Sequence, residues 1–468
     1  MKWQTTSLIM CLSTTSCGIL GTGSWKARHR IRPVAMTTEA VQRILITGTA
    51  VTVVKNPISS TYKGLCTLKS RSRIAADHWL RHLPRAEPEV DSSLTVEQAL
   101  DAEKFPKPIP GKVDYFIDGS FYTELHRSVG AATKYVDTQI FSFDNDDVAA
   151  AHADLLKRKS STIRCRVMMD YLGSVASWWI EPVTRMASAY PPPASMIAYL
   201  RKDGNVKVRI SRNPWLISDH TKLIIVDGKE AYLGGMNIGR EYQYEWHDMM
   251  VRVKGPIVTA MQNGFNKAWH LQGPLGDWAY PFHRRAQPYR TTLRKGEIPI
   301  RMLRTTASNS QINDALITAI KVSKRRIFLH VSYMTSDELM RELVKARKRG
   351  VDVRMIFPEK NDNNLLNTNN RSCAYDLIKV GAKVWLYPSS SHTKAVVVDD
   401  WACVGSANLD ALSLWINGEL NIAFSDKDSV DRLLRELFFK DFRKSKRLTL
   451  KDVEHWGGSP LEFVADQL

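Results

Sequence analysis

From Val113 onward the chain alternates between two patterns of apolar and polar residues. One repeats every three to four positions and predicts helices at Tyr122 to Lys134 and Val148 to Lys159, then at Ile312 to Val322, Asp337 to Arg349 and Ala374 to Val380. The other is short and dense in β-branched residues. It predicts strands at Val136 to Phe143, Arg164 to Asp170 and Val206 to Ile210, then at Ile300 to Leu303, Arg326 to Val331, Val351 to Phe357 and Ala382 to Leu386. Residues 1–76 show little sustained periodicity, and Phe105 to Pro110, with three prolines, reads as a stiff linker. Pro191-Pro192-Pro193 marks a loop insertion.

Strands alternating with helices predict an α/β sandwich with largely parallel or mixed sheets. The order of elements occurs twice, which predicts two similar halves with helices flanking each sheet. The expected layout is a basic, partly disordered leader and linker over 1–110, a first half over 111–280 and a second over 281–468. Gly273 to Glu297, rich in Pro, Gly and Arg, is the expected join.

Each half carries the same run of chemistry. His220-Thr221-Lys222 is followed by four apolar residues, Asp227 and Gly234-Gly235-Met236-Asn237. His392-Thr393-Lys394, 172 residues later, is followed by four apolar residues, Asp399 and Gly405-Ser406-Ala407-Asn408. In an extended chain residues i and i+2 share a face, so each His projects with its Lys. The apolar runs suit strands buried on both faces. Asp227-Gly228 and Asp399-Asp400 read as hairpin turns that bring Asn237 and Asn408 back beside their own His and Lys. Gly234, Gly235, Gly405 and Ser406 are small enough for the backbone to approach a ligand.

A phosphodiester suits this set. Lysine ammoniums neutralise non-bridging oxygens, and asparagine amides donate directed hydrogen bonds to them, with Ser406 adding a hydroxyl. One histidine can attack phosphorus while another protonates the departing alkoxide. Two copies facing one another would supply both, in one shared site. No cluster of carboxylates has the look of a magnesium or calcium site, so no metal and no other cofactor is expected. Asp227 and Asp399 read as turn and hydrogen-bonding residues rather than phosphate ligands.

The doubled HxKxxxxD…GxxN pattern resembles the paired signature of the phospholipase D superfamily, over about residues 111–450. Its surroundings, Gly239-Arg240-Glu241-Tyr242, Trp246-His247-Asp248 and Leu409-Asp410 with Ser413, are most similar to bacterial cardiolipin synthases. Acids at the places of Asp248 and Glu419, 28 and 27 residues after their histidines, orient the imidazoles in that family, and the resemblance implies that role here. It also implies transfer of a phosphatidyl group from one phosphatidylglycerol to another, giving cardiolipin and glycerol, with His220 as nucleophile and His392 as acid and base. Hydrolysis to phosphatidic acid is the alternative, and a nucleic-acid phosphodiester is disfavoured. Two departures stand out. Gly235 replaces the usual Ser, and the second hairpin is one residue shorter. Neither removes a named chemical role.

Composition modifies this picture at the N-terminus. Of a net charge of +18, residues 1–76 supply ten, with eleven Lys and Arg against the single acid Glu39. The remainder is moderately basic and compatible with an anionic lipid surface. No stretch reaches the ~18 apolar residues of a membrane-spanning helix. The first residues read as a weak bacterial lipoprotein signal ending at Cys17, as an organellar transit peptide, or as a leader ahead of a start at Met36. The expected location is peripheral to a membrane, in a bacterial cell envelope; Trp178, Trp179 and Trp215 read singly as core residues, with a role as interfacial anchors the alternative. Six cysteines show no zinc-like spacing, and Cys165 and Cys403 read as buried free thiols.

Overall fold

The computed structural model describes residues 48–80, 93–176, 193, 195–212, 214–282, 286–360 and 364–456. They fall in two compact units. One combines the described parts of 1–66 and 110–297, the other those of 67–109 and 298–468.

In the first unit seven strands form a mixed sheet. They are β1 (Ile109–Ile117), β2 (Tyr135–Ile140), β3 (Arg164–Asp170), β4 (Lys207–Ser211), β5 (Leu223–Val226), β6 (Glu230–Gly234) and β7 (Met249–Lys254). Their order across the sheet is β1-β7-β6-β5-β2-β3-β4. β2, β3 and β4 run parallel, and the pairs from β2 through β5, β6 and β7 to β1 are antiparallel. The parallel strands are connected through helices, including Asp147–Lys159. That helix begins on the Asp146 side chain, which accepts from Ala149 N, and ends in Lys157, Arg158 and Lys159, so both charged ends suit the helix dipole. Its apolar face joins Phe121, Leu125, Val136, Ile140, Val167 and Ile224 in the core.

The second unit repeats the plan. β8 (Ile298–Thr306), with the short β9 (Asn309–Ser310) beside it, is followed by β10 (Arg326–Val331), β11 (Asp352–Lys360), β12 (Lys383–Ser390), β13 (Lys394–Val398), β14 (Trp401–Gly405), β15 (Glu419–Phe424) and β16 (Lys446–Arg447). The order β8-β15-β14-β13-β10-β11-β12 matches the first sheet strand for strand, with the same parallel and antiparallel pairs, and β16 is added at its end.

One expectation is corrected. Residues 48–55 are helical and Pro57–Leu80 is a 24-residue helix, where the sequence shows no sustained periodicity. The segment is rich in Thr, Ser and Gly, and its buried positions Thr52, Asn56, Ser60 and Thr67 are polar, with Ile74 the one large apolar residue buried among its described side chains, so the usual inward apolar stripe is missing. β1 likewise starts inside the proline-rich stretch, at Ile109. Among the described residues no helix is long and apolar enough to cross a membrane. Cys165, Cys373 and Cys403 are buried free thiols, and burial pushes Cys165 up to about 11 and Cys403 up to about 12.

Candidate active site

Each motif is a hairpin at the middle of its sheet. β5 and β6 pair from Leu223 opposite Leu233 to Val226 opposite Glu230, leaving a three-residue turn at 227–229. β13 and β14 pair from Ala395 opposite Val404 to Val398 opposite Trp401, leaving two residues in the turn. The missing residue of the second motif is therefore removed at the turn. Gly234 and Gly405 follow their strands in the same register, so the ends that carry the two asparagines are unaffected.

Asp227 sits at positive φ in its turn and accepts from the backbone of Thr133, Lys134 and Tyr135 at 2.7–3.0 Å. Asp399, also at positive φ, accepts from the backbone of Lys324, Arg325 and Arg326 at 2.8–3.1 Å. The two acids fasten each hairpin tip to the start of the neighbouring β2 or β10.

At the other end of the hairpins lie the histidines and lysines. His220 and Lys222 are fully buried, and His392 and Lys394 nearly so. Lys222 Nζ donates to the carbonyl of His220 at 2.9 Å, and Lys394 Nζ to that of His392 at 2.7 Å. The Phe141 ring meets the edge of the His220 imidazole, with centroids 4.9 Å apart, and lies under Lys222 Nζ at 5.1 Å. An ammonium held this far from bulk water acts on an anion through a low dielectric.

Asn237 and Asn408 are both fully buried. Asn237 Oδ1 accepts from Ser142 N at 3.1 Å and its Nδ2 donates to Tyr242 Oη at 2.7 Å, while Tyr122 Oη donates to the Asn237 carbonyl. Asn408 adjoins the buried carboxyl of Asp410, which burial, aided by Glu419, pushes up to about 6. Asp410 accepts from Ser413 N at 2.7 Å and so starts the Ala411–Trp415 helix.

The two acids occupy equivalent places. Gly235 N donates to the carbonyl of Met249, the residue after Asp248, and Ser406 N donates to that of Leu420, the residue after Glu419. Both carboxylates are buried. In the second unit Ser406 Oγ donates to Glu419 Oε2 at 2.5 Å. In the first, a Cβ on Gly235 would lie 2.6 Å from Asp248 Oδ2 and 2.8 Å from its Cγ, with Oδ1 closer still. The glycine thus marks a carboxylate on a shorter stem, drawn in against the backbone. His247 Nδ1 is 2.8 Å from Asp118 Oδ1, which also accepts from Asp248 N.

Several neighbours were not singled out from sequence. Ser391, just before His392, is 2.9 Å from His330 Nε2, and His330 Nδ1 is 3.2 Å from Asp441 Oδ2, all three side chains being buried. Its only signal is a histidine inside the apolar strand RIFLHV. Asp219, just before His220, accepts from Gln139 Nε2 and is raised by burial. Trp215 is half-exposed, with its Nε1 bonded to the Ser60 carbonyl. Trp178 and Trp179 lie outside the described residues, as do Cys11 and Cys17.

Comparison with known proteins agrees with the duplicated plan. The family described as cardiolipin synthase, PLD-like domain, matches residues 125–269 and 316–440. The cardiolipin synthase of Oceanobacillus iheyensis is 30% identical over 357 residues, 72% of this chain and 70% of that protein. That of Clostridium perfringens is 26% identical over 361 residues, 73% of this chain and 72% of the other. The solved phosphatidylserine synthase of Haemophilus influenzae has the same fold, with a TM-score of 0.61 at 13% identity, covering 79% of this chain and 96% of its own. One family model thus fits two separate stretches, each containing a hairpin with its own His, Lys and Asn, and together they span more than half the sequence: the chain is a two-motif member of the phospholipase D superfamily, in the cardiolipin synthase, PLD-like domain family.

Proposed function

We propose that the protein is a phosphatidyltransferase that acts on phosphatidylglycerol and makes cardiolipin and glycerol. The observation that carries this is one His-Lys-Asn-acid set built twice on matching strand positions, in a chain whose relatives are cardiolipin synthases. In this reading the two sets divide the work on one phosphodiester. His220 attacks phosphorus and the bond to the first glycerol oxygen breaks. His392 gives that oxygen its proton and glycerol leaves. The phosphatidyl group is then held on His220. A hydroxyl of a second phosphatidylglycerol loses its proton to His392 and attacks, which frees His220 and closes the cycle.

Lys222, Lys394, Asn237 and Asn408 carry the negative charge that grows on the phosphoryl oxygens, while Ser406, expected from sequence to join them, gives its one hydroxyl proton to Glu419 and so supports that acid instead. The two lysines and two asparagines supply stabilisation of the kind a divalent metal gives elsewhere, so the proposed step needs none. Asp248 and Glu419 hold the imidazoles in the tautomer that presents a lone pair to phosphorus or to the acceptor. Phe141 and the buried setting of His220 limit competition from water. The anionic bilayer that contains the substrate is the proposed partner and the site of action.

The test is purified protein with phosphatidylglycerol vesicles, products resolved by mass spectrometry, and a DNA digest in parallel. Cardiolipin with equimolar glycerol is the expected outcome. Phosphatidic acid alone would make the protein a hydrolase, and cleaved DNA with unchanged lipid would overturn the lipid reading.

A further inference from the structure

The helical segment 48–80 is amphipathic in the wrong sense for a water-facing helix. Between Thr52 and Thr67 its buried positions are Thr52, Asn56, Ser60 and Thr67, all polar and mostly small, and the first buried apolar residue of the helix is Ile74, beyond them. Its exposed large apolar residues are Val54, Ile58, Tyr62, Leu65 and Leu68, each between 58% and 76% exposed. The spacings of four, four, three and three put these five on one face. Asn56 N donates to Thr52 O and Ser60 N to Asn56 O, so the stripe continues past the Pro57 junction.

The polar side is fixed to the first unit. Ser60 O accepts from Trp215 Nε1, Ser59 N donates to Asp277 at 2.8 Å, and a Cβ on Gly64 would meet the Trp215 ring at 2.9 Å. Gly276 lies against Lys55 O and Asn56, so the flanking Leu275 and Trp278, 55% and 66% exposed, border the start of the stripe. Thirteen large apolar side chains are exposed among the described residues, and seven of them are these. Such a cluster in a polar-surfaced protein marks something that covers it.

Charge identifies the cover. No acid occurs between Glu39 and Asp77, while Lys55 and Lys69 are exposed at the border of the stripe. A second copy or a buried peptide would leave those ammoniums beside an apolar contact, whereas a bilayer offers acyl chains to the stripe and anionic headgroups to the lysines. We propose that the outward stripe of residues 54–68, with Leu275 and Trp278, lies in the headgroup–acyl boundary of an anionic phospholipid bilayer, parallel to its surface. This rests on the phospholipid substrate proposed above, since the docked surface would keep the enzyme where that lipid is.

The test uses the full chain and its Ile58→Asn/Leu65→Asn variant, both positions being exposed and outside the catalytic set. Sedimentation is measured with vesicles of phosphatidylcholine and phosphatidylglycerol at three to one, and with phosphatidylcholine alone. The wild type should bind the mixed vesicles at least tenfold more tightly than neutral ones. The variant should lose at least tenfold on mixed vesicles while keeping its rate on short-chain phosphatidylglycerol below its micelle concentration. Equal binding by variant and wild type would overturn the inference. Unchanged vesicle binding with a fall from dimer to monomer would assign the face to a second copy, and with early melting would assign it to residues before 48. Vesicle binding through the stripe without any lipid turnover would sink the proposed reaction and leave the docking surface standing.

Discussion

Gly235 offers a direct test of how the first acid is held. Replacing it by Ser puts a Cβ 2.6 Å from Asp248 Oδ2 and 2.8 Å from Cγ, where ordinary contact begins near 3.4 Å. The carboxyl has to retreat by about 1 Å, yet its Oδ1 is bonded to Met249 N at 2.7 Å, which resists the movement. Overpacking of this kind costs about 1–3 kcal/mol. If Asp248 orients His220, a shift of about 1 Å lowers turnover by roughly a hundredfold. The second unit shows the remedy, because Ser406 there donates to the longer Glu419 at 2.5 Å. Gly235→Ser/Asp248→Glu copies that pair into the first unit. The assay is a double-mutant cycle on turnover and melting temperature, with Gly235→Ser and Asp248→Glu as the singles. Both singles should be poor, and the double should recover at least tenfold over Gly235→Ser. Wild-type turnover in Gly235→Ser, or a double no better than the worse single, would refute the reasoning.

Four further outcomes are expected. Asp248→Asn and Glu419→Gln should fold normally and turn over at least a hundredfold more slowly, as judged by circular dichroism and product formation; undiminished rates would reject the orienting role. His392→Ala should trap a phosphoryl adduct on His220 from a substrate with a good leaving group, and His220→Ala should trap none; mass spectrometry showing the adduct on His392 would reverse the assignment. Asp227→Ala, which loses its acceptors to the start of β2, should cost about 2 kcal/mol in denaturant unfolding while the folded fraction keeps its turnover; equal loss of turnover would give Asp227 a direct part in the site. Burial raises Asp410 to about 6, above the ~3.9 of a free aspartate, so its favourable contribution is complete below about pH 4 and lost as pH rises through 6. Asp410→Asn should therefore melt higher than wild type at pH 7, and the gap should close near pH 4; a gap independent of pH would mean the carboxyl is already charged.

The amino-acid sequence alone determined the strands, the helices between them and the doubled hairpins. These depend on local pattern, since i and i+2 must share a strand face wherever the strand lies. RCRVMMD and RIFLHV are strands at the residues their composition indicates. The positions of His220, Lys222, Asp227 and Asn237 within one hairpin follow from spacing for the same reason. What required the tertiary structure is contact between distant segments. Gly235 reads as a lost hydroxyl until the Asp248 carboxylate is found in the space of its Cβ. His330 reads as an odd residue in an apolar strand until Ser391 and Asp441, 61 and 111 positions away, are seen beside it. The helix over 57–80 is not legible in the sequence, because the apolar residues from Val54 to Leu68 stand among Thr, Ser, Gly and Lys, and their spacing fixes at most that they share a face. Which face is covered was decided by Trp215 and Asp277, more than 150 residues along the chain, and they hold the polar side and leave the apolar one outward.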